Sequence, residues 1–76
     1  MLKPLDPVVL TKDLPRQGLK RGDLGAIVDV FEAESLEVEF VTASGKTEAL
    51  LKLAVADVRS VADSDMLSVR PYSRTA

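Results

Sequence analysis

Seventy-six residues with 46% apolar and 29% charged side chains make one small globular domain and exclude a disordered chain. The net charge of −2 argues against a nucleic-acid binder that relies on a general basic field. The lack of His and Cys rules out disulfides, the usual zinc ligands and the usual nucleophile–base pairs.

Pro4 and Pro7 disfavour helix at the start, and no apolar run after Met1-Leu2-Lys3-Pro4 resembles a secretory signal or spans a bilayer. A cytoplasmic protein is expected. Pro7-Val8-Val9-Leu10-Thr11 is rich in β-branched residues and predicts a first strand, with Val8 and Leu10 on one face. Lys12 to Lys20 carries Pro15 and Gly18 and reads as a long loop or irregular hairpin, with Leu14 and Leu19 tucked against the sheet. Arg21-Gly22-Asp23 is a turn in which Gly22 takes a positive φ, and Gly25 marks a bulge or a close backbone approach. A strand over 26–31 follows, with Val28 and Val30 directed inward. Ile27 then calls for a bulge or for apolar contact on both faces. Residues 32–35 form a polar loop.

Residues 36–41 alternate cleanly: Leu36, Val38 and Phe40 face the core, Glu37 and Glu39 face water. Thr42 to Lys46 is a hairpin turn with Gly45 in the left-handed region. The returning strand covers 47–53, with Ala49, Leu51 and Leu53 inward, and a tight turn at Val55-Ala56-Asp57 leads to a short last strand over 57–61. Residues 47–63 also fit a helix capped by Thr47, with Leu51, Val55, Val58 and Ala62 at helical spacing. Strand is favoured because the turn sends the chain back beside 36–41, and a lone ribbon before a helix would leave a poor core. From Asp63 onward Met66, Leu67, Val69 and Tyr72 make a partly ordered tail whose last residues, 73–76, fray. The reading is all-β: a small, five-stranded, partly open barrel over 1–62 with a tail over 63–76.

From Val8 to Val61 this order of elements resembles an SH3-like barrel: a strand, a long loop, strands joined by Gly-containing turns, a one-turn crossover and a short closing strand. Gly22-Asp23-Leu24-Gly25-Ala26-Ile27-Val28 is similar to the Gly-x-x-Gly-x-Val opening of KOW and related translation or transcription modules. Four blocks in order carry a closer likeness: Val8-Val9-Leu10-Thr11-Lys12-Asp13-Leu14-Pro15, the Gly18-to-Gly25 stretch, Val38-Glu39-Phe40-Val41 and Gly45-Lys46-Thr47. They resemble a bacterial family of small stand-alone proteins known as a domain of unknown function. That resemblance implies an SH3-like fold and a partner encoded elsewhere, such as a toxin-like protein to be neutralised. It brings no catalytic residues.

Nothing in the residues points to chemistry. Glu37 and Glu39 lie on the solvated face, and Asp63 and Asp65 offer too few oxygens for a hard cation. Gly22-Asp23-Leu24-Gly25 lacks the Lys-Ser/Thr and the strand-to-helix context of a phosphate loop. No enzyme activity, cofactor or metal is expected. The SH3-like resemblance implies a groove beside the long loop, lined by Leu14, Pro15, Arg16, Leu19 and Lys20. With Phe31, Phe40 and Tyr72 the only aromatics, polyproline binding and base stacking are disfavoured. Edge-strand pairing with another protein, or with a second copy, remains. Leu50 and Val9 face outward in this register. The expected contacts are Leu14, Arg16, Leu19, Lys20 and Leu50. The charge is uneven: residues 1–25 hold five basic and three acidic side chains, residues 26–57 two basic and seven acidic. The rival reading is accordingly a KOW-like nucleic-acid or ribosome contact through Arg16, Lys20, Arg21 and Lys46.

Overall fold

The computed structural model describes residues 2–32 and 34–73. Five strands, β1 (Pro7–Leu10), β2 (Leu24–Val30), β3 (Ser35–Val41), β4 (Thr47–Ala54) and β5 (Val58–Ser60), form one antiparallel sheet. Their order is β4-β3-β2-β1-β5. Residues 47–54 are therefore strand, not helix: the hairpin closed by Thr42 and Lys46 lays β4 along the whole of β3. Gly45 and Gly22 take the positive φ expected of them, 86° and 96°. A single 3-10 turn, Val55–Asp57, makes the crossover to β5. The Ala54 N–H donates to the Asp57 carboxylate at 3.2 Å, and the Thr11 N–H donates to the Asp57 carbonyl at 2.9 Å.

β2 belongs to both halves of the sheet. Leu24, Gly25 and Ala26 pair with β1, and Ala26 onward pairs with β3. Gly25 stands at this handover, where a Cβ would collide with β3, so it is the close approach that its position implied.

Val8, Leu10, Ile27, Leu36 and Val38 are the largest fully buried side chains, and Phe40, Ala49, Leu53 and Val58 complete the lining with Leu19. Leu51 packs against this cluster half-buried. One expectation is corrected and another narrowed. Ile27, not Val28 or Val30, is the inward residue of β2: Ile27 is 1% exposed and Val28 43%, with Val30 also exposed. Ile27 stands opposite the buried Val38, so plain alternation puts Val28 on the outer face, and the pairing with β3 shifts only after Ile27, between it and Asp29. Val9 does lie on the face away from the core cluster, but it is 8% exposed rather than open, because β1 lies between β2 and β5 with Leu24 and Arg59 opposite it on either side.

After β5 the Asp65 carboxylate ties off a turn. It accepts the Ala62 N–H at 2.7 Å and two hydrogen bonds from the Arg59 guanidinium at 2.8 and 3.1 Å. Of the residues 73–76 expected to fray, 74–76 lie outside the described residues.

Candidate binding surface

The long loop between β1 and β2 is a small hairpin. Leu14 and Leu19 exchange backbone hydrogen bonds at 2.9 and 3.1 Å, with the 3-10 turn Pro15–Gln17 and a left-handed Gly18 between them. This closure drives Leu19 inward to 4% exposure and packs Leu14 against the core, leaving Arg16 and Lys20 exposed. Of the four loop residues expected to make contacts, two therefore build the fold and two are free to meet solvent. Leu50 stands apart from them, on β4 opposite Glu39, and is 52% exposed.

The acidic residues of the loop act as ties. Asp13 accepts the Arg21 N–H at 2.8 Å, and Asp23 accepts the Lys20 N–H at 2.8 Å. Asp23 also receives the tail: Arg70 Nε donates to Oδ1 at 2.9 Å and Nη2 donates to Oδ2. The same Nη2 donates to the Gly18 carbonyl at 2.9 Å, and the Tyr72 hydroxyl donates to the Gln17 carbonyl at 2.7 Å. Burial pushes the Asp23 carboxyl up, but the hydrogen bonds from Arg70 and from the Lys20 N–H outweigh it and hold the group below its ordinary value.

Between the loop, the β3–β4 hairpin and the tail lies a cleft of about 340 Å³. Leu19, Leu24, Phe40 and Val41 supply apolar wall, and Asp23 and Glu48 supply negative charge. Sequence patterning missed the tail's part in it. Arg70 reaches a residue 47 positions earlier and Tyr72 one 55 positions earlier, beyond any local periodicity.

The second surface is the outer edge of β4. The strand is eight residues long, pairs with β3 on one side and is terminal in the sheet order. Its outward face carries Leu50 and Lys52. Lys52 stands opposite Glu37 with its Nζ 5.5 Å from the centre of the Phe31 ring. The opposite edge, β5, is three residues long.

Among the described residues no group of three or more Asp and Glu is arranged to hold a metal ion, and no helix is long and apolar enough to cross a membrane. No curated protein and no solved structure matches the chain. A family profile described as a domain of unknown function does match it, over residues 5–60, a span that takes in all five strands and the long loop but not Arg70 or Tyr72. On that match the chain belongs to the DUF4926 family.

Proposed function

We propose that the chain is a non-enzymatic, cytoplasmic protein-binding module that receives an extended strand of another protein along the outer edge of β4. The free edge itself carries this reading. The eight-residue strand has no neighbour on its outer side, where alternate residues present their N–H and C=O groups, and Leu50 offers apolar contact to the residue of an added strand that comes to lie beside it. Backbone pairing needs few special side chains, which suits a chain with three aromatics and neither His nor Cys. The strand order and the one-turn crossover support the SH3-like reading, in which the terminal strands are left exposed. The form of this reading suggested by the family resemblance is an antitoxin-like pairing with another small protein. Self-association along β4 would use the same edge.

The KOW-like alternative rests on Arg16, Lys20, Arg21 and Lys46. Carboxylates sit beside this set: Asp23 and Asp13 accept the backbone N–H groups of Lys20 and Arg21, and Glu48 is 3.9 Å from Lys46 Nζ. That lowers the positive field a phosphate backbone would meet.

A photo-crosslinking residue in place of Lys52, two positions along β4 from Leu50 on the same face, in cells of the source organism, tests the reading. A protein crosslinked there and lost on Leu50→Asp is the expected result, with affinity nearly flat between about 0.05 and 0.2 M salt. Crosslinking to RNA from the loop positions, falling steeply over that range and abolished by Arg16→Glu with Lys20→Glu, would replace it with the alternative.

A further inference from the structure

We propose that the acceptors around Asp23, at the edge of the cleft, are a receptor for a segment of a partner protein that carries an arginine and, two residues on, a tyrosine, and that the chain's own Arg70 and Tyr72 occupy these acceptors as a built-in competitor. This site is separate from the β4 edge and does not depend on it.

The two halves of the contact differ in kind. The receptor half is preformed by the fold. Asp23 is fixed between β1 and β2 by the Leu10 N–H on its carbonyl at 2.9 Å and by the Lys20 N–H on its carboxylate. The carbonyls of Gln17 and Gly18 are turned outward by the 3-10 turn and the left-handed Gly18 that ends it. Together these present one carboxylate and two carbonyl oxygens, acceptors only, beside an apolar wall and Glu48. That arrangement selects a planar guanidinium, whose several N–H donors can meet a carboxylate and a carbonyl at once, over an ammonium. The Gln17 carbonyl then adds a preference for a hydroxyl-bearing aromatic two residues on.

The ligand half is loosely attached. Among the described residues, none from 66 to 73 makes a backbone–backbone hydrogen bond. Met66 and Leu67 are exposed and Val69 is 100% exposed, so the segment is held at its two anchoring side chains. It also lies beyond the residues matched by the family profile, whereas Gln17, Gly18 and Asp23 lie within them. A segment tethered in this way has an effective concentration on the order of millimolar and is displaced by a ligand with the same anchors and more contacts. The apolar wall of Leu24, Phe40 and Val41 is where a longer partner segment would gain them.

The test uses the full chain and a labelled, end-capped peptide of sequence Ser-Val-Arg-Pro-Tyr-Ser. Arg70→Ala frees the Asp23 carboxylate and the Gly18 carbonyl and should bind the peptide. The unaltered chain, if its tail is docked about nine-tenths of the time, should bind about tenfold more weakly. Asp23→Asn in the Arg70→Ala background, or citrulline for arginine in the peptide, should abolish binding, while Leu50→Asp should not change it. Tyr72→Phe, which deletes a single hydroxyl, gives an intermediate gain and serves if Arg70→Ala fails to fold. A folded Arg70→Ala protein that ignores the peptide, or binding indifferent to Asp23 and to the guanidinium, overturns the proposal. So do concentration-dependent dimers of the unaltered chain that vanish on Arg70→Ala, because they assign the cleft to the tail of a second copy.

Discussion

Gly25 lies against Phe40: a Cβ at position 25 would stand 2.8 Å from Cε1 of the buried ring and 2.8 Å from Cγ1 of Val38, with the Glu39 carbonyl at 3.0 Å. The crowding comes from three residues in a row of β3, one of them through its backbone, so no single side chain can relieve it. Gly25→Ala should destabilise the protein by about 1–3 kcal/mol, the usual cost of overpacking. Urea denaturation measures this. Because Phe40 supplies part of the clash, Gly25→Ala with Phe40→Leu should cost less than the sum of the two single changes. Strict additivity would mean that the ring and the glycine do not meet.

Neighbouring residues of β2 give an opposite pair of outcomes. Ile27 is among the largest fully buried side chains and Val28 beside it is exposed. Ile27→Ala should cost about 2–5 kcal/mol, the range for emptying a core position, and Val28→Ala under about 1 kcal/mol. Thermal or chemical melts of the two variants read the direction of the strand directly. Similar losses at both positions would mean that Ile27 is not the inward residue of β2.

The bulge in β2 marks the limit of what patterning reveals here. Leu36, Val38 and Phe40 obey a period of two, and the turn at Gly45 carries the same period into Ala49, Leu51 and Leu53, so this hairpin was legible residue by residue. In β2 the apolar run Ala26-Ile27-Val28 fits either face, and one extra residue in the ladder reverses the alternation after Ile27 without leaving a chemical mark. The burial of Val9 depends on β1 having a neighbour on each side, a fact of topology rather than of local sequence. Leu14 and Leu19 were legible as residues tucked under the loop, but not the cleft above them. Its other wall is the tail, which looks like scattered apolar residues until Arg70 and Asp23 are seen together.

Leu5 holds a conformation that its side chain does not favour. Its φ is 76°, it is 86% exposed, and its N–H donates to the Ile27 carbonyl at 2.7 Å, extending the pairing of β1 with β2. A left-handed leucine costs roughly 1–2 kcal/mol, and the exposed side chain returns little of that in packing. Leu5→Gly relieves the strain while making the unfolded chain more flexible, which offsets part of the gain. The expected outcome is a stabilisation of about 0.5–1 kcal/mol in urea melts. A loss of stability would show that the Leu5 side chain contributes more than its exposure implies.

The turn after β5 should carry its own pH signature. The Arg59 guanidinium, and after it the Ala62 N–H, hold the Asp65 carboxyl down to about 2. A carboxyl depressed in the folded state stabilises that state fully above its unfolded value of about 4, and the contribution fades as pH falls through the folded value. Between about pH 4 and 2 the Arg59–Asp65 contact should therefore weaken, while nothing changes at this site between about pH 5 and 8. A carbon-detected NMR titration of the Asp65 carboxyl checks the midpoint directly. Arg59→Gln removes the charge and the paired donors but leaves the Ala62 N–H, so the midpoint should rise part of the way toward the ordinary carboxylate range. Because the turn holds the Ala62 N–H on the Asp65 carboxylate and the Asp65 N–H on the Ala62 carbonyl, the same variant should speed amide exchange at Ala62 and Asp65 and leave β1 to β4 unchanged. Faster exchange across the whole sheet would instead make the turn part of the cooperative core.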